Sequence, residues 1–205
     1  PFLPLKDLPT HYDREAARPL TQILRGRPMV FEGHSTDYQT REALRRMVED
    51  GVAILKVGPA LTFALREALI ALEMIEHRLL EGEGVWMSGF ERVLERAMLE
   101  NPAHWQKHYH GNGAEQAFKR LFSYSDRARY YLPDARVSAS AARLIANLSG
   151  APIPAALLSQ YLPRQYARVR DGALAGDPES LILDRIGDTI DDYLYATEPA
   201  DRPAG

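Results

Sequence analysis

Cysteine is absent from the chain, which excludes disulfides, thiolate metal sites and cysteine nucleophiles. Nor is there any run of Lys and Arg long enough to mark a nucleic-acid or anionic-membrane surface, and the formal net charge of -3 points the same way. Long apolar runs are missing too. The most apolar stretch, Val57 to Ile75, is interrupted by Arg66, Glu67 and Glu73, whereas a membrane span needs about 20 mainly apolar residues. The N-terminus lacks the basic head, apolar centre and small-residue cleavage site of a signal peptide. No internal repeat or low-complexity segment occurs. These absences predict a cytoplasmic protein with neither a membrane nor a nucleic acid as partner.

What is present is ordinary for a globular protein: 45% hydrophobic and 26% charged residues. At 205 residues the chain can form one large domain or two small ones around a real core. It begins with Pro1, which fits either methionine removal or a boundary within a longer chain.

The first ten residues hold three prolines and read as an extended lead-in. From His11 to Arg25, the residues Ala16, Ala17, Leu20, Ile23 and Leu24 are spaced for one helix face. Met29 to Phe31 is a short apolar run, expected as a strand buried on both faces. Ser35, Thr36 and Asp37 are good capping residues for a helix running from about Asp37 or Tyr38 to Asp50. Val52 to Val57 reads as a second strand. Gly58-Pro59 then opens a helix to about Leu80, with Leu61, Leu65, Leu69, Leu72 and Ile75 as its buried stripe. Beyond Gly82 no strand recurs, and helices are expected at 89–100, 114–122, 138–148, 154–170 and 177–195. Asp177-Pro178 is a strong start signal for the last. The tail from Thr197 should fray.

Two successive strand–loop–helix units are the building material of a parallel sheet or a (β/α) barrel, with chemistry at the C-terminal ends of the strands. At the first such end, Glu32, His34, Ser35, Thr36 and Asp37 gather two carboxylates, an imidazole and two hydroxyls within six residues. Such a cluster can bind a metal, transfer protons or hold a phosphate, or it can simply cap a helix. Lys56 stands near the end of the second strand, where its ammonium needs a partner or a path to solvent. Gly58 permits close backbone approach, and the N–H groups beyond it could bind an anion. His104 and His108 have i, i+4 spacing, but with no general-base glutamate between them a packing or surface role is favoured. In YSDRARYY (Tyr124 to Tyr131), Asp126 is expected to pair with Arg127 or Arg129. SQYLPRQY (Ser159 to Tyr166) is similarly rich in aromatic and polar groups.

EGHSTDYQTRE, AILKVGPALTFALREA, YSDRARYY-x-P and SQYLPRQY, in that order and spacing, resemble the C-terminal half of the Z-type subunit of D-tagatose-1,6-bisphosphate aldolase, the GatZ/KbaZ family. The resemblance runs from about Arg25 to Tyr195. It implies an α/β fold: the last two βα units of a (β/α)8 TIM-type barrel (residues 1–81), followed by a mostly helical C-terminal extension (residues 82–205). It also implies an accessory, non-catalytic partner of a catalytic class II aldolase subunit, stabilising it in an oligomer. The setting would be ketohexose or amino-sugar catabolism, such as that of galactitol or N-acetylgalactosamine, with a ketose (bis)phosphate as ligand.

In class II aldolases, which are zinc enzymes, the strand matching Met29–Phe31 ends in a zinc-ligand histidine followed by a phosphate loop. Glu32 falls at that metal position here, and Gly33, His34, Ser35 and Thr36 fall on the loop. The next strand runs into a Lys-x-Asn-x-x-Thr/Asp segment that binds substrate. Lys56 matches, while Gly58 replaces the asparagine and Leu61 the Thr/Asp. The resemblance thus implies Ser35, Thr36, Lys56 and Gly58 as phosphate or substrate contacts, with Glu32, His34 and Asp37 as candidate catalytic groups. Zn2+ or another divalent ion would take its remaining ligands from outside this chain. The alternative is an enzyme in its own right, a metal-dependent sugar-phosphate aldolase or a ketose-phosphate 4-epimerase.

Overall fold

The computed structural model describes residues 10–24 and 26–198, so the proline-rich lead-in and the last seven residues lie outside the described chain. Contacts divide the chain into two compact units. One comprises the residues up to Leu61 together with those from Gly187 onward, and the other runs from Thr62 to Ile186. No helix among the described residues is long and apolar enough to cross a membrane.

The first unit contains helix α1 (Arg14–Gln22), strand β1 (Phe31–Gly33), helix α2 (Arg41–Glu49) and strand β2 (Val52–Leu55), with the opening of α3 (Pro59–Leu80) and the last turns of α9 (Pro178–Thr197). Asp13 starts α1 by accepting the Glu15 and Ala16 N–H groups at 2.9 and 3.2 Å. The face expected to bury Leu20 and Ile23 is instead exposed, at 56% and 53%. β1 and β2 pair in parallel, with α2 as the crossover, so these elements form one βα-β unit. The pairing continues past the strand ends, where the Lys56 N–H donates to the Gly33 carbonyl at 2.9 Å.

The strands are not buried on both faces as expected. Met29 and Val30 precede β1 and are 55% and 64% exposed, and Ile54 in β2 is 46% exposed. Within this unit α2 packs on β2, and the apolar side chains at Val30 and Ile54 keep no cover among the described residues. On the covered side Ala43, Leu44, Val52, Ala60 and Ala196 are buried. Arg45 ties the end of α9 to α2, donating to the Tyr195 carbonyl at 2.9 Å, and the Arg41 guanidinium lies 4.0 Å from the Tyr195 ring centre.

The second unit is helical: the rest of α3, then α4 (Phe90–Glu100), α5 (Gly113–Phe122), α6 (Ala135–Leu148), α7 (Ala155–Tyr161), α8 (Pro163–Arg170) and the start of α9. Leu72, Ile75, Phe90, Leu94, Met98, Leu144 and Leu181 form its core. The expected stripe on α3 is largely right, with Leu69, Leu72 and Ile75 buried and Leu65 packed beside them. Three charged residues of α3 are buried as well, and each has partners. Glu73 accepts the Glu91 N–H at 2.9 Å, which supplies the first turn of α4 with an acceptor that Gly89 lacks a side chain to provide. Burial raises the Glu73 pKa. Glu76 takes the Ser88 N–H at 3.1 Å and the Asn147 amide at 2.6 Å. Arg66 pairs with Asp126.

Two expectations change here. The helix foreseen over 154–170 is two helices, because Leu162 precedes Pro163 and leaves the helical region, with φ -136° and ψ 62°. His104 and His108 share no helix face, since the helical turn at Pro102–His104 is a short 3₁₀ piece. His104 stacks on Tyr130 with ring centres 4.8 Å apart, and His108 Nδ1 lies 3.4 Å from an Arg127 Nη. Burial, then Arg127, depresses the His108 pKa.

Candidate functional site

The loops leaving β1 and β2 lie side by side because their strands pair in parallel, and this brings the candidate residues into two layers. The outer layer is a charged cluster. Glu32 Oε1 lies 2.5 Å from Lys56 Nζ and 2.5 Å from His34 Nε2, and all three side chains are open to solvent. The bond from Lys56, followed by that from His34, holds the Glu32 carboxyl below its ordinary pKa. A depressed carboxyl stabilises the cluster above its unfolded pKa, and that contribution is lost as pH falls through the lower folded value. Lys56→Met is therefore expected to move the Glu32 titration upward, as followed by carboxyl 13C shifts. A midpoint identical to that of the parent protein would contradict the pairing.

The inner layer is buried. Thr36, 2% exposed, donates from Oγ1 to the Lys56 carbonyl at 2.9 Å and shares a hydrogen bond with the Tyr193 hydroxyl at 3.0 Å. Asp37 does not cap its own helix as expected. Thr40 does that for α2, taking the Ala43 N–H at 3.1 Å. The Asp37 carboxylate instead reaches across to the next loop, where Oδ1 accepts the Gly58 and Ala60 N–H groups at 2.8 and 2.9 Å. It therefore occupies the amides at the start of α3 that the sequence offered as an anion site. Ser35 is exposed and adopts a left-handed backbone with φ 55°. Tyr38 does the same with φ 61°, and these two residues turn the loop so that Thr36 and Asp37 point inward.

Glu32, His34 and Lys56 are thus brought together at the surface, while Thr36, Asp37 and Gly58 join in the scaffold beneath. Tyr193 is the residue that reading the sequence missed. It lies 157 positions from Thr36, and nothing in its local pattern marks it. Burial raises its pKa. Among the described residues no group of three or more His, Asp or Glu side chains could hold a metal ion.

The first unit is thus α/β, with polar loops at the C-terminal ends of two parallel strands, and the second is helical. The chain belongs to the D-tagatose-1,6-bisphosphate aldolase subunit GatZ/KbaZ-like family, which it matches over residues 6–198. It is also similar to a solved structure, the crystal structure of a probable tagatose 6 phosphate kinase from Sinorhizobium meliloti 1021. The two are 47% identical with a TM-score of 0.86, over 91% of this chain and 48% of the other. The chain therefore spans about half the length of that relative.

Proposed function

We propose that this chain is the second half of an accessory subunit of a class II tagatose-bisphosphate aldolase, acting in a cytoplasmic ketohexose or amino-sugar pathway. On this reading residues 1–81 supply the last two βα units of a TIM-type barrel, and residues 82–205 are a helical extension that meets the catalytic subunit. The uncovered sheet face at Val30 and Ile54 supports the barrel part, since such apolar surface is stable when further strands lie against it. The observation that carries the accessory reading is the family match over nearly the whole chain, joined to a strand-end site in which Asp37 and Thr36 are committed to holding the loops together.

A ketose (bis)phosphate would meet Lys56, His34 and the Ser35 hydroxyl first. Lys56 offers the phosphate a mobile cation, and Glu32 sets where that cation rests. Co-expression of the full-length protein with the catalytic aldolase subunit is expected to raise the soluble yield of that subunit. An unchanged yield counts against the accessory role.

The Glu32–His34–Lys56 cluster favours a second reading: an aldolase or 4-epimerase in its own right, with His34 or Asp37 moving protons and Glu32 binding a divalent ion whose other ligands come from outside this chain. The full-length protein, purified without its partner, would then cleave tagatose bisphosphate or epimerise a ketose phosphate when zinc is added. Turnover of that kind, abolished by Glu32→Ala, would overturn the accessory reading.

A further inference from the structure

Where α4 packs on α6, a groove of about 350 Å³ is lined by Val93, Arg96, Arg136, Ala139, Ser140 and Arg143. On α6 the lining positions recur at the i, i+3, i+4 and i+7 spacing of one helix face, so arginines stand at both ends of the serine. Two carboxylates answer three guanidinium groups. Glu100 is shared by Arg96 at 3.0 Å and Arg136 at 2.6 Å, and Asp134 lies 3.2 Å from Arg136. Arg136 foremost holds both carboxyls below the usual range. Arg143 is half-buried and makes no ion pair among the described residues. Its guanidinium carbon lies 3.7 Å from the ring centre of the exposed Trp86 indole, and the guanidinium N–H groups have no acceptor among the described residues.

The serine is the second observation. Buried helical serines normally return their hydroxyl to a preceding carbonyl. Even Ser149, the exposed C-cap of α6, does so, donating to the Ile145 carbonyl at 2.7 Å. Ser140 does not. It is 2% exposed, and its Oγ has no hydrogen-bond partner. A buried hydroxyl left unpaired is destabilising and calls for an explanation.

We propose that this groove binds the phosphate group of a small metabolite, or free phosphate. Arg143 contributes a guanidinium edge, Arg136 and Arg96 add charge at the mouth, and the Ser140 hydroxyl donates the bond it otherwise lacks. Arginine forks fit a phosphate in two-point contact, and Trp86 orients Arg143 in advance, which reduces the ordering needed on binding. The site belongs wholly to the helical unit and is independent of the strand-end residues, so it survives whichever reading of Glu32 and Lys56 holds.

The test is calorimetric titration of the full-length protein with inorganic phosphate and, separately, with fructose 6-phosphate at low ionic strength. Both titrations are run in the Lys56→Met background, which removes the strand-end cation; saturable binding is expected there and is weakened about tenfold or more by adding Arg143→Met. Tighter binding of fructose 6-phosphate assigns the groove to a phosphorylated sugar, while equal affinities assign it to phosphate alone. Ser140→Ala supplies a readout that a merely structural serine would not give. Without phosphate it should raise the melting temperature, by removing the unpaired hydroxyl, and with saturating phosphate that gain should vanish. Absence of saturable binding in the Lys56→Met protein, or unchanged affinity in a folded Lys56→Met/Arg143→Met protein, would each overturn the proposal.

Discussion

Replacing Asp126 with alanine is expected to destabilise the helical unit by about 3–5 kcal/mol, the cost of breaking a buried ion pair from one side. Asp126 and Arg66 are each 1% exposed. The carboxylate accepts Arg66 Nε at 3.1 Å and Nη2 at 2.8 Å, and the Thr62 hydroxyl at 2.6 Å. Alanine would strand a guanidinium in the interior, where hydration cannot reach it. Backbone strain adds to the loss, because Asp126 has φ 43°, a conformation that aspartate tolerates better than alanine. Asp126→Asn keeps the shape and the backbone preference and should lose less. The double variant Arg66→Met/Asp126→Asn should be milder than the two single losses summed, since neither charge is then left alone. Denaturant unfolding of the parent, of Asp126→Ala, Asp126→Asn and Arg66→Met, and of the double variant measures these differences. A loss below about 1 kcal/mol for Asp126→Ala would refute the account.

The second large effect is expected at Asp37. Alanine there leaves the Gly58 and Ala60 N–H groups without their acceptor, and lost caps together with unpaired buried donors amount to about 2–3 kcal/mol. Asparagine retains a side-chain oxygen that can accept the same bonds and should stay within about 1 kcal/mol of the parent. This pair of variants also separates scaffold from chemistry. If Asp37 only ties the loops together, Asp37→Asn preserves folding and, on the proposed accessory role, the activity of the aldolase complex. If it moves a proton, Asp37→Asn keeps the melting curve and loses the activity.

Much of the fold was legible because its signals are local. Pro59 opens α3 as its first residue, and the start of α9 at Asp177-Pro178 is real, with Asp177 Oδ1 accepting the Ser180 N–H at 2.9 Å. The break at Leu162-Pro163 was equally local but was overridden by a helical pattern continuing on both sides. Asp126 was expected to pair with a neighbour in its own motif, yet its partner is Arg66, 60 positions earlier. The arginines beside Asp126 were the visible candidates, and only packing could bring α3 to it. Glu32, His34 and Lys56 were legible as a group for a different reason. Parallel strands joined by one helix must end at the same edge of a sheet, so their loops must meet.

By itself the sequence determined the order of strands and helices, that two βα loops share an edge, and which family the chain resembles, since all of these follow from short-range spacing and motif order. Only the tertiary structure decided which partner each polar residue in those loops meets. Thr36 and Asp37 look as reactive as Glu32 and His34 when read along the chain. In the fold, Asp37 meets unpaired amides at the start of α3 and Thr36 meets Tyr193, while Glu32, His34 and Lys56 face water. Burial commits a polar group to the partner it finds, and exposure leaves it free for a ligand.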